Sequence, residues 1–346
     1  MWNLGNLIST VQHNCHISDA QHAGDTTLCI YLLRMREFYR WEHDIPLAGP
    51  LPSDQVGAWL EERERMWDGL ASSPFEALPL ASVLADPFDS ATVNREIVPR
   101  GYIYSAGYGR FNKPHFFLGA LDRAESRSGF SVYISSCEYA RDLVAPPAML
   151  LDRDIFVCRE SVRRFLWEKI EEWRWNRRNE AMARALADSG FDDDPPGGLD
   201  GMTEAVTESM ILHELGEGAA GALLGEDWNA MLLALSRSKA ENMARAVRDL
   251  LADCVSTLPV LLEEDNAAAL HFYFATFSGM RRHLYPDVLA AYRSWADSHD
   301  PQPLRHAIAQ GSDRWLAAGR SLLDLYHRTG SLAGEAVEQL LETAPL

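Results

Sequence analysis

The chain has 346 residues, long enough for two domains, with 47% hydrophobic and 24% charged residues, proportions ordinary for a globular protein. Its net charge of −18 argues against a generic grip on a nucleic-acid backbone, which needs clustered positive charge. No run approaches the roughly 18 apolar residues of a membrane span, the opening residues lack a basic signal-peptide flank, and five scattered cysteines without a CxxC pair fit reduced thiols.

The expectation is a cytoplasmic protein with neither a nucleic-acid nor a membrane partner. In chain order, Leu4, Leu7, Ile8, Val11 and Cys15 form a helical stripe that predicts a helix over 2–17. Within and beyond it runs QHNCHISDAQHAGD, where His13, His16, Asp19, His22 and Asp25 recur every third residue. Such a run drifts about 60° per step on a straight helix, so the five cannot converge on one ion. A bend near Ser18 would bring His16, Asp19 and His22 together as metal ligands; without it they form a solvated polar face.

Asp25 is expected to cap a second helix, TTLCIYLLRMREFYRWE, and Ser53 or Asp54 a third. From Val98 the composition turns aromatic and β-branched. Three strands are expected near residues 101–139, with turns at RFNKP and ESRSG, forming a small antiparallel sheet. His115 stands at the start of one of them. A long helix follows from Ile155, and its segment RRFLWEKIEEWRWNRR interleaves Trp with Arg as an RNA-stacking surface would. Glu168, Glu171 and Glu172 interrupt it, which predicts a solvated face. Residues 189–201, SGFDDDPPGGLDG, read as a linker between a region 1–190 and an all-helical region 200–346. Helices are expected at 203–224, 227–252, 258–284, 286–297, 303–327 and 331–342. The fold class is α+β, mainly α-helical.

The chemistry concentrates in TESMILHELGEGAAG. His213-Glu214-Leu215-Gly216-Glu217 lies one residue short of the HExxH zinc-protease signature, with Glu in place of the second His. Residues four apart share a helical face, so His213 and Glu217 can reach one divalent ion, zinc or iron, while Glu214 sits where a general base would. Gly216, Gly218, Gly221 and Gly225 predict close approach of another helix, or a break after Glu217. The blander alternative is a helical surface pair between His213 and Glu217. Glu264 and His271 also share a helical face, where a histidine more often satisfies a core hydrogen bond.

HELGE resembles the glutamate zincins, and that resemblance implies Glu241, on the next predicted helix, as third ligand, with His271 as a second choice. TVQHNCHISDAQHAGDTTLCIYLLRMREFYRWE, AGYGRFNKPHFF and AALHFYFATFSGMRRHLYP resemble an uncharacterised proteobacterial protein family across most of the chain. That resemblance implies a bacterial protein and supplies no activity. The function expected is a metal-dependent hydrolase of a small molecule or peptide. The alternatives are a non-haem iron oxygenase or oxidase in a helical bundle, for which Asp19/His22 and Asp324/His327 give Asp-x-x-His, and a non-enzymatic binding or scaffold protein.

Overall fold

The computed structural model describes residues 3–109, 112–235, 238–264, 266–329 and 334–343. Parts of the predicted RFNKP turn (110–111) and of the predicted helices (236–237, 265, 331–333) lie outside the described residues. The protein is mainly helical with two sheets, the α+β class expected. Its contacts divide it into one unit of residues 1–125, 131–147 and 156–164, and a second of 126–130, 148–155 and 165–346.

In the first unit, α1 (Leu4–His22) buries the predicted stripe, placing Leu7, Val11 and Cys15 in one core with Tyr104, Phe116 and Leu118. The helix runs unbroken through Ser18, so the bend that would gather His16, Asp19 and His22 is absent. Nor is its polar side solvated, because Asn14, His16, Ser18 and Asp19 are buried too. Helix α2 (Leu28–Glu42) starts after Thr27 and not Asp25, which sits in a 3₁₀ turn. With α3 (Ser53–Leu70) it forms a second core of Tyr31, Met35, Phe38, Trp67 and Leu143. A two-stranded ribbon, β1 (Leu78–Pro79) and β2 (Leu84–Ala85), precedes α4 (Ser90–Ile97), which Asp89 caps by accepting from the Thr92 amide.

The main sheet comprises β3 (Tyr102–Tyr108), β4 (Pro114–Arg127), β5 (Phe130–Arg141), β6 (Ala148–Leu151) and β7 (Asp154–Cys158), in the order β3-β4-β5-β7-β6. Strands β3 and β4 pair antiparallel, Tyr102 opposite Ala120. Side-chain neighbours advance together from Phe130/Arg153 to Tyr133/Phe156, which makes β7 parallel to β5 and the sheet mixed. The expected antiparallel strands are thus present, extended by two short ones, of which β7 takes the residues where the long helix was predicted to begin, so that α5 starts at Arg159 instead of Ile155.

The second unit is helical apart from its strand residues. It comprises most of α5 (Arg159–Asn176), then α6 (Glu180–Asp188), α7 (Pro195–Leu224), α8 (Asp227–Ala234), α9 (Lys239–Ala252), α10 (Leu258–Glu263), α11 (Ala267–Thr276), α12 (Gly279–Leu284), α13 (Pro286–Ser298), α14 (Gln302–Thr329) and α15 (Gly334–Thr343). Its core gathers Trp228, Met243, Val247, Leu251, Phe274 and Trp315 among others. Among the described residues no helix is long and apolar enough to cross a membrane.

The predicted linker behaves differently from its composition. Asp194 caps α7 by accepting from the Gly197 amide at 3.2 Å, and two prolines fill the first helical positions, where their missing N–H costs nothing. Leu199 is buried, and a Cβ on Gly198 would lie 2.6 Å from the Phe191 Cα. DPPGG therefore starts a helix here, and the division between the units falls before it.

Candidate metal centre

Helix α7 packs along α9 and along the π-helical segment Asp253–Thr257 that continues it. Pro259 stands near the start of α10 and cannot donate to the carbonyl four residues earlier, which favours a widened turn just before it. At the crossing, a Cβ on Gly216 would lie 2.5 Å from the Ala252 carbonyl oxygen, so only glycine lets the backbones meet. The Ser256 hydroxyl donates to the Leu212 carbonyl at 2.7 Å and pins the pair. This is the close approach that the glycines of HELGEGAAG predict, and α7 continues past Glu217 to Leu224.

The approach sets His213 and Glu217 of α7 against Asp249 of α9. One ligand atom from each lies within 4.8 Å of the other two, the one such group of His, Cys, Asp or Glu among the described residues. The His213 Nδ1 stands 2.8 Å from Asp253 and its Nε2 3.6 Å from Glu217. As a cation His213 turns Nδ1–H to Asp253 and Nε2–H toward Glu217; an ion displacing the Nε2 proton would meet a lone pair there while Nδ1–H stays on Asp253, the arrangement by which an outer carboxylate orients a metal-binding imidazole. Asp253, wholly buried, also accepts from the Tyr273 hydroxyl at 2.7 Å and from Arg281 at 3.0 Å. Arg248 reaches the second oxygen of Glu217 at 2.8 Å.

Four carboxylates thus share a half-sealed site with one imidazole and two guanidinium groups, and they divide. Burial opposes the charge of Glu217, yet His213 and Arg248 outweigh it and hold the carboxyl at about 2. Burial, then the charge of Glu217, pushes Glu214 up to about 7 and Asp249 up to about 6. Burial alone would lower His213, but Asp253 and Glu217 carry it well above the usual imidazole range. Asp253 is held low against its burial by His213 and Arg281. Negative charge in excess of its local partners is what a bound cation relieves, and a nitrogen with carboxylate oxygens suits zinc, manganese or iron. The residues fit a divalent ion.

The other expected ligands stand elsewhere. Glu241, buried in the first turn of α9, accepts from Arg245 at 2.8 Å; it lies two turns before Asp249, which takes the position expected of it. His271 meets the Tyr292 hydroxyl at 2.7 Å and Asp188 at 3.4 Å, and burial lowers its pKa. In the first unit, Arg63 donates to His16 Nε2 at 2.8 Å, and the Trp67 indole nitrogen stands 3.3 Å from its Nδ1. Burial, then Arg63, depresses that imidazole to about 3, so His16 is neutral, and its single lone pair, placed on Nε2, is already used by Arg63. His22 pairs with Asp25 at 2.8 Å. Asp19 joins neither histidine. It meets Lys113 at 2.5 Å, while Asp142 meets His115 at 2.8 Å and Lys113 at 3.7 Å, a buried chain tying α1 to β4 and to the turn after β5.

Sequence reasoning missed Asp249 and Asp253. Their signal was an i, i+4 acidic pair next to Arg248 in the otherwise apolar run 246–255, with Pro259 close behind.

Residues 6–158 match the N-terminal domain, and residues 163–344 the C-terminal domain, of a family of unknown function (DUF6866). The division between these domains falls near the start of α5, earlier than the expected linker and close to the boundary between the two units. No curated protein and no solved structure matches the chain.

Proposed function

We propose that this chain, which belongs to the DUF6866 family, is a metal-dependent hydrolase of a small molecule or peptide, with its site in the C-terminal domain. The observation that carries the reading is the convergence of His213, Glu217 and Asp249 within 4.8 Å, with Asp253 behind the imidazole. A divalent ion held there would act as a Lewis acid on water or on a substrate carbonyl. Glu214 is the base: buried beside the ligands and raised to about 7, it changes protonation where a general base works best. Asp253 keeps the His213 Nδ1 proton in place, and Arg248 and Arg281 stop the carboxylates from repelling one another apart. The side chains of His213 and Glu217 are 25% and 17% exposed, so the ligand face is open to substrate while Asp253 is not.

The test is the metal content of protein purified without a histidine tag. Near-stoichiometric zinc supports the hydrolase, and His213→Ala should remove most of it. Glu214→Gln should keep the metal and lose hydrolysis, since only the base is gone. Iron in place of zinc, with visible absorbance, would favour the oxidase alternative, for which donors on facing helices of a bundle are also suited. Full metal retention by both His213→Ala and Glu217→Ala would eliminate this centre. A metal-free protein whose stability is indifferent to added zinc or iron would leave a binding or scaffold role.

A further inference from the structure

The second unit holds a cavity of about 710 Å³ bounded by α5, α6, α11, α12 and α13. Its lining includes Lys169, Arg177, Arg178, Arg184, Arg282 and Arg293, against three carboxylates, in a chain with 32 basic and 50 acidic residues. Two of these cations are already matched: Lys169 meets Glu172 at 2.8 Å and Arg184 meets Asp297 at 2.7 Å. Arg178, Arg282 and Arg293 have no side-chain partner among the described residues, and the remaining carboxylate, Glu180, lies in the first turn of α6. All three are exposed and within reach of water, but three like charges around one hollow repel one another, a cost that an anion with several acceptor oxygens relieves.

The rest of the lining mixes polar groups, Asn176, Asn179, Thr276 and Ser278 among them, with an aromatic and apolar wall. Phe274 stacks on Tyr292 at 4.1 Å, and Phe277, Met182 and Ala296 are buried beneath the opening. Arg177 lies over the Trp173 ring at 5.5 Å and adopts φ +41°, a left-handed backbone that places an arginine where glycine or asparagine is at less cost. Guanidinium and indole are both planar groups against which a heterocycle rests, so the Arg177–Trp173 pair offers the cavity a platform.

We propose that this cavity binds a phosphate-bearing small molecule with a planar ring, of nucleotide size. The phosphates would lie among Arg178, Arg282 and Arg293, and the ring against the Arg177–Trp173 platform. The cavity volume is that of ordinary small-ligand sites. The RRFLWEKIEEWRWNRR segment gains its role here through the arginines at its end, because folding brings them beside Arg282 and Arg293.

Isothermal titration of the full chain with inorganic pyrophosphate and with ATP, both free of magnesium, tests the proposal. Binding of both is expected, with ATP at least about tenfold tighter through the ring. Arg282→Ala/Arg293→Ala should weaken both by at least about tenfold with unchanged melting, and the single Arg178→Ala, at an exposed position, provides the same readout if the pair fails to fold. Arg320→Ala, exposed on α14, should change nothing. No binding of either probe at about 1 mM overturns the site, as does binding that survives the substitutions. Pyrophosphate as tight as ATP overturns the role of the ring. A short single-stranded RNA that outcompetes ATP makes the partner a polynucleotide and overturns the small-molecule assignment.

Discussion

His213 and His16 are both largely buried imidazoles, and their neighbours set them opposite ways. Asp253 and Glu217 favour the cation at His213; Arg63 and burial favour the neutral ring at His16. The consequence for His16 follows from linkage. Above about pH 6.5 the residue is neutral in both folded and unfolded chains. Below that the unfolded chain takes up a proton that the folded one refuses until about pH 3. Stability should therefore fall with acidity at about 1.4 kcal/mol per pH unit from this residue, or roughly 2 kcal/mol between pH 6.5 and 5. Urea unfolding at several pH values should show this fall, and His16→Gln should flatten it; an unchanged slope would count against the assignment. At the metal centre, Asp253→Asn removes the charge behind His213 but keeps its shape. Metal affinity measured against a competing chelator should drop about 10- to 100-fold. The pair His213/Glu217 was legible in the sequence because one helical turn relates its members. Asp253 was not, because its partners come from three other helices.

At the scale of elements, the contact between α7 and the π-helical segment makes two glycines in one helix behave oppositely. Gly216→Ala pushes a Cβ into the Ala252 carbonyl and should cost about 1–3 kcal/mol while spreading the three ligands. Gly221→Ala meets open space in the same helix and should gain up to about 1 kcal/mol. Urea denaturation of the two variants checks both signs, and equal effects would refute the close packing at Gly216. The glycine run announced a close neighbour without saying which. Periodicity located α1, α14 and most of α7, because each has a face to bury, but ran α8 and α9 together as one helix 227–252. It misjudged the polar side of α1, since buried Asp19 and His16 are recognisable only once Lys113 and Arg63 arrive from distant positions. It also misread DPPGG, where a capping Asp and two N-terminal prolines are as good a helix start as a linker.

For the whole molecule, every residue of the proposed metal centre lies after position 163, so a fragment 163–346 contains the full ligand set. Yet residues 126–130 count with the same unit: a Cβ on Gly218 of α7 would collide with the Phe130 ring, and Arg127 pairs with Glu208. A fragment 126–346 should therefore melt higher than 163–346, and both should bind zinc. A shorter fragment as stable as the longer one would mean that the strand residues contribute nothing. The arginine-lined cavity adds a kinetic consequence. A ligand approaching it meets first the field of a molecule with net charge −18, which repels anions at long range, and only within a few ångströms the guanidinium groups. Salt screens the distant repulsion over a Debye length of about 8–10 Å more completely than it screens contacts in a partly enclosed pocket. The association rate of a polyphosphate should consequently rise as salt is first added, the reverse of electrostatic steering, while the dissociation rate rises too. Capture at this cavity would then be slow at low ionic strength and fastest near that of a cell.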